Sequence, residues 1–375
     1  MTAVWLVVWL GAVLAVLGAV VASVGPLLPV LALATGAALP DAGLVISALF
    51  GGMLCAQALS AIAMDRAGAR RVLAGAVVAC AGGCWGLSLA PTLPTLLAAA
   101  AIMGVGYGLG SIAANLVASR VAASRPGLVI NICNACYGVG AVVGPLVVSG
   151  LLRDGAEPRR VFLGAAVLLV LLLPLAGLVA PTHAPAAAAT GARLPRRALA
   201  ATALMMALAG GIEAGFSGWL ATYAEQTLAY SAAGAAVLTS QYWAAYLAGR
   251  VLVTMASMRW PPEPLLAVAA ALLVVASLGL AVAGAGLSAT WWVWLLGAAI
   301  GPAYPLIFGV LTRRFAGRAT QAAATVATAG SVGATVLPYV LGLTLPLAGG
   351  RGLAMTTAAL AVGVAALAAA GTARK

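Results

Sequence analysis

Apolar residues run along this chain in long blocks interrupted at Pro, Gly and Arg clusters. A hydrocarbon layer about 30 Å thick takes about 20 residues of helix, and the interruptions cut the chain into such lengths. The spans predicted are 3–33, 41–63, 71–90, 94–117, 128–152, 161–181, 198–223, 233–257, 264–284, 290–312, 320–346 and 352–371. Twelve transmembrane helices are therefore expected, in an all-α membrane protein. The first basic residue is Arg66, so the opening apolar run has no charged leader before it and is expected to be a retained span.

Composition agrees with this pattern. Of 375 residues, 64% are hydrophobic and 7% charged, against about 25% charged in soluble chains. That balance excludes an ordinary soluble enzyme, a disordered chain and a nucleic-acid binder. The net charge of +12 would otherwise suggest a polyanionic partner, but the basic residues sort by side. Alternate loops place Arg66, Arg70, Arg71, Arg120, Arg125, Arg193, Arg196, Arg197, Arg259, Arg313, Arg314, Arg318, Arg374 and Lys375 together, 14 residues against the 4 of Arg153, Arg159, Arg160 and Arg351. The richer side is expected to be cytoplasmic, with both termini there, in a cell membrane. Arg250 falls inside the eighth span.

The stretch 182–197, rich in Ala and Pro, holds the only histidine, His183, and divides the chain in the middle. It reads as a cytoplasmic linker between six-helix bundles at 1–181 and 198–375. The five cysteines lie in apolar stretches of the first half, Cys133-x-x-Cys136 among them without further ligands. They are expected to pack as small apolar groups, with no metal site, cofactor or disulfide framework. Gly104-x-Gly-x-Gly-x-Gly110 has the look of a nucleotide loop, but no strand precedes it, and close helix packing is the expected use.

A shift of 193 residues superposes the halves: Gly104 on Gly297, Gly108 on Gly301, Arg120 on Arg313, Arg125 on Arg318, Gly140 on Gly333, Pro145 on Pro338, Arg66 on Arg259 and Gly25 on Gly218. A duplicated six-helix bundle with Gly and Pro at matched places suits alternating access, in which one bundle rocks against the other. A transporter is the class expected.

Between the second and third spans runs Ala61-Ile-Ala-Met-Asp65-Arg66-Ala-Gly68-Ala69-Arg70-Arg71. This resembles the loop motif Gly-x-x-x-Asp-Arg-x-Gly-Arg-Arg of the major facilitator superfamily, with Ala61 at the first Gly and Ala69 at an Arg position. The resemblance implies two pseudo-symmetric six-helix bundles and a charged latch formed by Asp65, Arg66, Gly68, Arg70 and Arg71, with Arg250 also assigned to gating. Four further stretches are similar to the fucose-proton symporters and their sodium-dependent glucose transporter-like branch. They are Val24-Gly-Pro-Leu-Leu-Pro29, Asn115 with Asn131 to Pro145, Gly211 to Tyr223, and Gly301-Pro-Ala-Tyr304-Pro305. The acidic groups that the fucose symporter carries in its first and fourth spans have no counterpart here. Asn134 stands where related sequences often have His.

Six of the seven acids fall in loops or at span ends, which leaves Glu213 as the only carboxyl deep in a span. A charge at that depth costs about 2.5–3.5 kcal/mol on insertion scales, so the residue is expected to meet a cavity or a partner. Three roles stay open for it: proton or cation coupling, a direct hydrogen bond to the solute, or a structural partnership with Arg250 or with backbone donors. Uncharged polar groups gather at helical spacing around it. Tyr107, Ser111 and Asn115 lie on one face, Asn131 and Asn134 on another, with Trp219, Tyr223, Gln241, Tyr242, Tyr246 and Tyr304 in the second half. Hydroxyls, amides and aromatic faces suit a neutral polyhydroxyl ligand. Tyr107, Asn115, Asn131, Asn134, Trp219, Gln241, Tyr242 and Tyr304 are the substrate-binding candidates and Glu213 the ion-coupling one. The same Asn, Tyr and Trp residues also glue helices or anchor interfaces, as expected for Trp291, Trp292 and Trp294.

The expectation is a secondary active transporter of a small sugar-like solute, coupled to a proton or sodium ion, a lipid-embedded monomer without enzymatic chemistry. A drug or metabolite efflux antiporter of the same superfamily is the alternative. Its fifth-span signature is half present, with Gly140 and Gly144-Pro145 in place but Val148-Ser149 where a Gly pair belongs.

Overall fold

The computed structural model describes residues 2–121, 126–179, 195–283, 287–315 and 318–372. Most of the 182–197 linker, with His183 and Arg193, lies outside these residues, as do Arg125, Arg374 and Lys375. The chain divides into two compact units, Met1–Ala187 and Ala188–Lys375. The first contains α1 (Thr2–Thr35), α2 (Leu39–Leu89), α3 (Leu93–Val121), α4 (Pro126–Arg153) and α5 (Arg160–Leu172), which a 3-10 helix extends over Leu173–Leu178. The second contains α6 (Arg196–Thr227), α7 (Ala232–Ala256), α8 (Pro262–Val282), α9 (Leu287–Ile300), α10 (Ala303–Arg314), α11 (Ala319–Gly342) and α12 (Leu345–Thr372).

Ten helices among the described residues are long and apolar enough to cross a membrane, against the twelve expected. Two local causes account for the difference. The second and third spans join in one 51-residue helix, α2, about 77 Å at 1.5 Å per residue and far longer than one crossing. The Ala-, Met- and Arg-rich segment expected as a loop is made of good helix formers, and only Gly68 leaves helical geometry, at φ 74° and ψ 161°. That backbone region is open essentially to glycine alone. The second cause is α7, which is 25 residues long but carries Thr239, Ser240, Gln241, Tyr242, Tyr246 and Arg250 and so falls below the apolar level of its neighbours.

Proline sets the other departures. The tenth span is broken between α9 and α10 at Gly301-Pro302, because Pro302 offers no N–H to the carbonyl of Ala298 and crowds it. Gly249 of α7 approaches that same carbonyl so closely that a Cβ there would collide with it. Pro174 likewise ends α5 as an α-helix, and Trp9 of α1 donates its indole N–H to the carbonyl of Leu172 at 2.8 Å.

The principal packing partners are α2 with α3 and α1 with α4 in the first unit, and α6 with α11, α8 with α12 and α7 with α9 in the second. Their contacts repeat. Gly104 sits on the carbonyl of Leu49 and Gly108 on that of Met53, while Gly297 sits on the carbonyl of Tyr242 and Gly301 on that of Tyr246. All four pairs of positions, 49 and 242, 53 and 246, 104 and 297, 108 and 301, differ by 193. Gly140 on the carbonyl of Ala15 and Gly333 on that of Ala207 nearly repeat as well. In lipid, where apolar side chains gain nothing by leaving the solvent, such backbone approach is what holds helices together. Large apolar side chains accordingly remain on the outside, Leu33 at 85% exposure and Leu171 at 67% among them.

Candidate functional site

In the second unit the packing of α6 leaves one face for chemistry. Gly210, Gly211 and Gly215 admit the Gly330 carbonyl, Leu337, Leu341 and Pro338 of α11 at distances no side chain would allow. Glu213 lies among these glycines in sequence but is half-buried, whereas residues 214–224 are all buried. From α7, Tyr242, Tyr246 and Arg250 follow at intervals of four, one above another at about 6 Å per step. Tyr246 donates its hydroxyl to the Glu213 carboxylate, and Arg250 acts electrostatically on the same carboxylate. The Arg250 guanidinium also stands 5.4 Å from the centre of the Tyr246 ring, within cation–π range.

Tyr304 enters from α10, just past the Gly301-Pro302 break, within electrostatic reach of both Arg250 and Glu213. Its ring stays 45% exposed and packs on Phe308 at 4.7 Å between centroids. Glu213 of α6 thus lies within electrostatic reach of four groups from two other helices: Tyr242, Tyr246 and Arg250 of α7 and Tyr304 of α10. A carboxyl so placed is able to hold or release a proton while Arg250 offsets the charge that release creates.

The remaining candidates of this unit have other occupations. Trp219 is fully buried and donates its indole N–H to the carbonyl of Pro338 at 2.7 Å. This bond ties α6 to α11. Tyr242 is also fully buried, and its hydroxyl has no hydrogen-bond partner among the described residues. Gln241 accepts from the Trp294 indole at 3.2 Å. Tyr223 gives its hydroxyl to the carbonyl of Leu280 at 2.9 Å.

The first unit has its own polar face. Tyr107, Ser111 and Asn115 are half-buried along α3, and Asn131 and Asn134 are exposed on α4. Asn134 donates to the carbonyl of Ile130 at 2.9 Å and, more weakly, to the Asn115 amide oxygen at 3.4 Å. Tyr137 stacks on Tyr107 with centroids 5.8 Å apart and planes at 14°. Tyr137 was not among the candidates, although its spacing of three from Asn134 places it on the same helix face. Tyr246 carries a similar signal, four residues after Tyr242, but its role depends on a hydrogen bond to another helix, which spacing along α7 does not reveal.

Around the α2 break, Asp65, Arg66, Arg70 and Arg71 are exposed and Gly68 is buried. The Arg70 guanidinium lies against Gly177 of the 3-10 helix. Asp65 makes no salt bridge among the described residues, whereas Arg159 pairs with Glu157 and Arg313 with Glu263. No group of three or more His, Cys, Asp or Glu residues suited to a metal occurs among the described residues, and all five cysteines are free.

These features place the chain in the class of polytopic membrane transporters. The sequence profile of the Major Facilitator Superfamily matches residues 8–338, and the chain belongs to that family. No curated protein sequence matches the chain. Solved structures share its fold. The Escherichia coli fucose:proton symporter is 20% identical, with 96% of this chain and 97% of that one covered and a TM-score of 0.66. A D-xylose-proton symporter is 17% identical over 98% and 96%, with a TM-score of 0.78. A nucleoside transporter carrying one substitution is 13% identical over 100% and 99%, with a TM-score of 0.80.

Proposed function

We propose that this transporter moves a small neutral polar solute, sugar-like in its hydroxyl groups, by alternating access, and that Glu213 couples the movement to a proton. The observation that carries this reading is the meeting of the one deep carboxyl with Tyr246 and Arg250 inside membrane-spanning helices. A carboxyl in that setting changes charge at modest cost, since its two states have partners already in place. One proton is sufficient: a driving force of about 150 mV supplies roughly 3.5 kcal/mol, equal to a solute gradient of a few hundred-fold. Asn115, Asn131 and Asn134 of the first unit and Gln241 and Tyr304 of the second supply donors, acceptors and an open ring face for the solute. Asp65, Arg66, Gly68, Arg70 and Arg71 are assigned to gating. Twelve crossings follow when the two rods of α2 and the polar helix α7 are counted, with both termini cytoplasmic and the whole pathway in one chain.

The test is flux in liposomes. A thermal-shift screen over monosaccharides, polyols and nucleosides selects the solute, and wild-type protein is expected to accumulate it under an imposed pH gradient. Glu213→Gln is expected to exchange the solute across the membrane at equilibrium and to lose accumulation. If Glu213→Gln accumulates solute as the wild type does, the coupling role is wrong.

A further inference from the structure

The Tyr242 hydroxyl stands out within the second unit. Its residue is completely buried, yet the O–H has no partner among the described residues. An unmatched buried hydroxyl is costly enough to call for a reason. Tyr242 lies one helical turn before Tyr246, whose hydroxyl is committed to Glu213, and Glu213 acts electrostatically on Tyr242 as well. The two tyrosines, their backbones about 6 Å apart along α7, thus both lie within electrostatic reach of one carboxyl, the Tyr246 hydroxyl engaged with it and that of Tyr242 without a partner among the described residues.

Neither tyrosine is free to move toward the other. The carbonyl of Tyr242 is pressed on Gly297 and that of Tyr246 on Gly301, so that both backbones are fixed against α9 and the turn after it. The Tyr242 ring is further held by Phe216 at 5.8 Å and Trp243 at 5.5 Å, and the Tyr246 ring by Trp243 at 5.1 Å and by Arg250. The half-buried Glu213 side chain, with its rotatable bonds, is the mobile member.

We propose that Glu213 has two stations on α7, resting at Tyr246 beside Arg250 when ionised and turning to the vacant hydroxyl of Tyr242 when protonated. The proton adds to a carboxylate oxygen from water, and both tyrosines keep their own. The ionised group stays where Arg250 and the Tyr246 donor favour charge. The neutral acid holds Arg250 far less strongly than the carboxylate does, and it satisfies Tyr242 by donating to its oxygen or accepting from its O–H. Tyr242 and Tyr246 are thus positioning residues, and the carboxyl shifts along the helix axis as it titrates. The titratable groups acting on it are Tyr242, Tyr246 and Arg250 from α7 and Tyr304 from α10. The contacts of α11 with this part of α6 run through Gly330, Leu337, Pro338 and Leu341, and Arg351 of α12 acts on Tyr223, ten residues further along α6.

This inference rests on Glu213 as the coupling group, and infrared difference spectra of the full chain in lipid nanodiscs test the two separately. The Glu213 bands are assigned by their loss in Glu213→Gln as pH is varied. Tyr242→Phe is expected to displace the C=O band of the protonated acid and leave the carboxylate band in place. Tyr246→Phe is expected to displace the carboxylate band alone. A merely structural role for either tyrosine would move both bands or neither, and either result overturns the two-station reading while leaving the coupling role intact. Absence of any titrating Glu213 band would remove both. Should Tyr242→Phe fail to fold, the structure of Glu213→Gln decides, because the amide stands in for the neutral acid. An amide against the Tyr242 hydroxyl supports the inference, and one still against Tyr246 overturns it.

Discussion

Replacing Arg250 by Met keeps much of the side-chain volume and removes the cation that faces Glu213. Both residues are half-buried. Taking away one partner is therefore expected to cost less than in a fully buried pair, where the uncompensated charge left behind costs about 3–5 kcal/mol. With roughly 2–4 °C of Tm per kcal/mol for domains the size of these units, about 3–5 kcal/mol corresponds to a fall of roughly 6–20 °C as an upper bound. The variant escapes part of it by taking up a proton at Glu213. Its folded state then holds a proton that the unfolded state releases near neutral pH, so stability falls as pH rises, by up to about 1.4 kcal/mol per unit. Thermal unfolding of detergent-solubilised Arg250→Met, followed by tryptophan fluorescence over a pH series, is expected to show this slope in excess of the wild type. Adding Glu213→Gln removes the orphaned charge, so the double variant is expected to regain most of the loss and to lose the excess slope. An Arg250→Met protein as stable as wild type throughout, or a double variant no better than the single one, would refute the pairing.

Three further outcomes are expected. Gly104→Leu and Gly297→Leu each drive a side chain into a backbone carbonyl, of Leu49 and Tyr242 respectively, so both should fail to give monodisperse protein by size-exclusion chromatography, while Gly82→Leu, which faces open space, should not. Trp219→Phe keeps the packed ring but leaves the Pro338 carbonyl without its indole donor, a loss of about 1–3 kcal/mol that appears as a lower Tm with transport kinetics per folded molecule unchanged. Asn115→Ala and Asn131→Ala should raise KM for the solute identified by the thermal-shift screen at normal insertion levels, and unchanged uptake in both would remove these amides from the site.

The sequence was sufficient wherever the deciding physics is local or one-dimensional. Twenty-residue apolar runs are measured against a fixed lipid thickness, and the repeat is a register shift in the chain; the glycines that seat on Leu49, Met53, Tyr242 and Tyr246 were visible as matched positions at that offset. The depth of Glu213 needed only counting along its span. Facing was another matter. In water a helix betrays its buried side by its polar stripe, but a lipid-embedded helix is apolar on both sides, so the face that Trp219 or Tyr242 presents leaves no trace in the order of residues. Only the tertiary structure showed that the Trp219 indole is spent on Pro338, that Arg250 answers Glu213, that Tyr246 joins the two, and that Tyr242 is enclosed without a partner. It also decided continuity, since Gly68 bends a helix that sequence had divided, and Pro302 divides one that sequence had kept whole. Each of these outcomes depends on which backbone carbonyl lies opposite on a neighbouring helix, a fact of packing that no stretch of chain contains by itself.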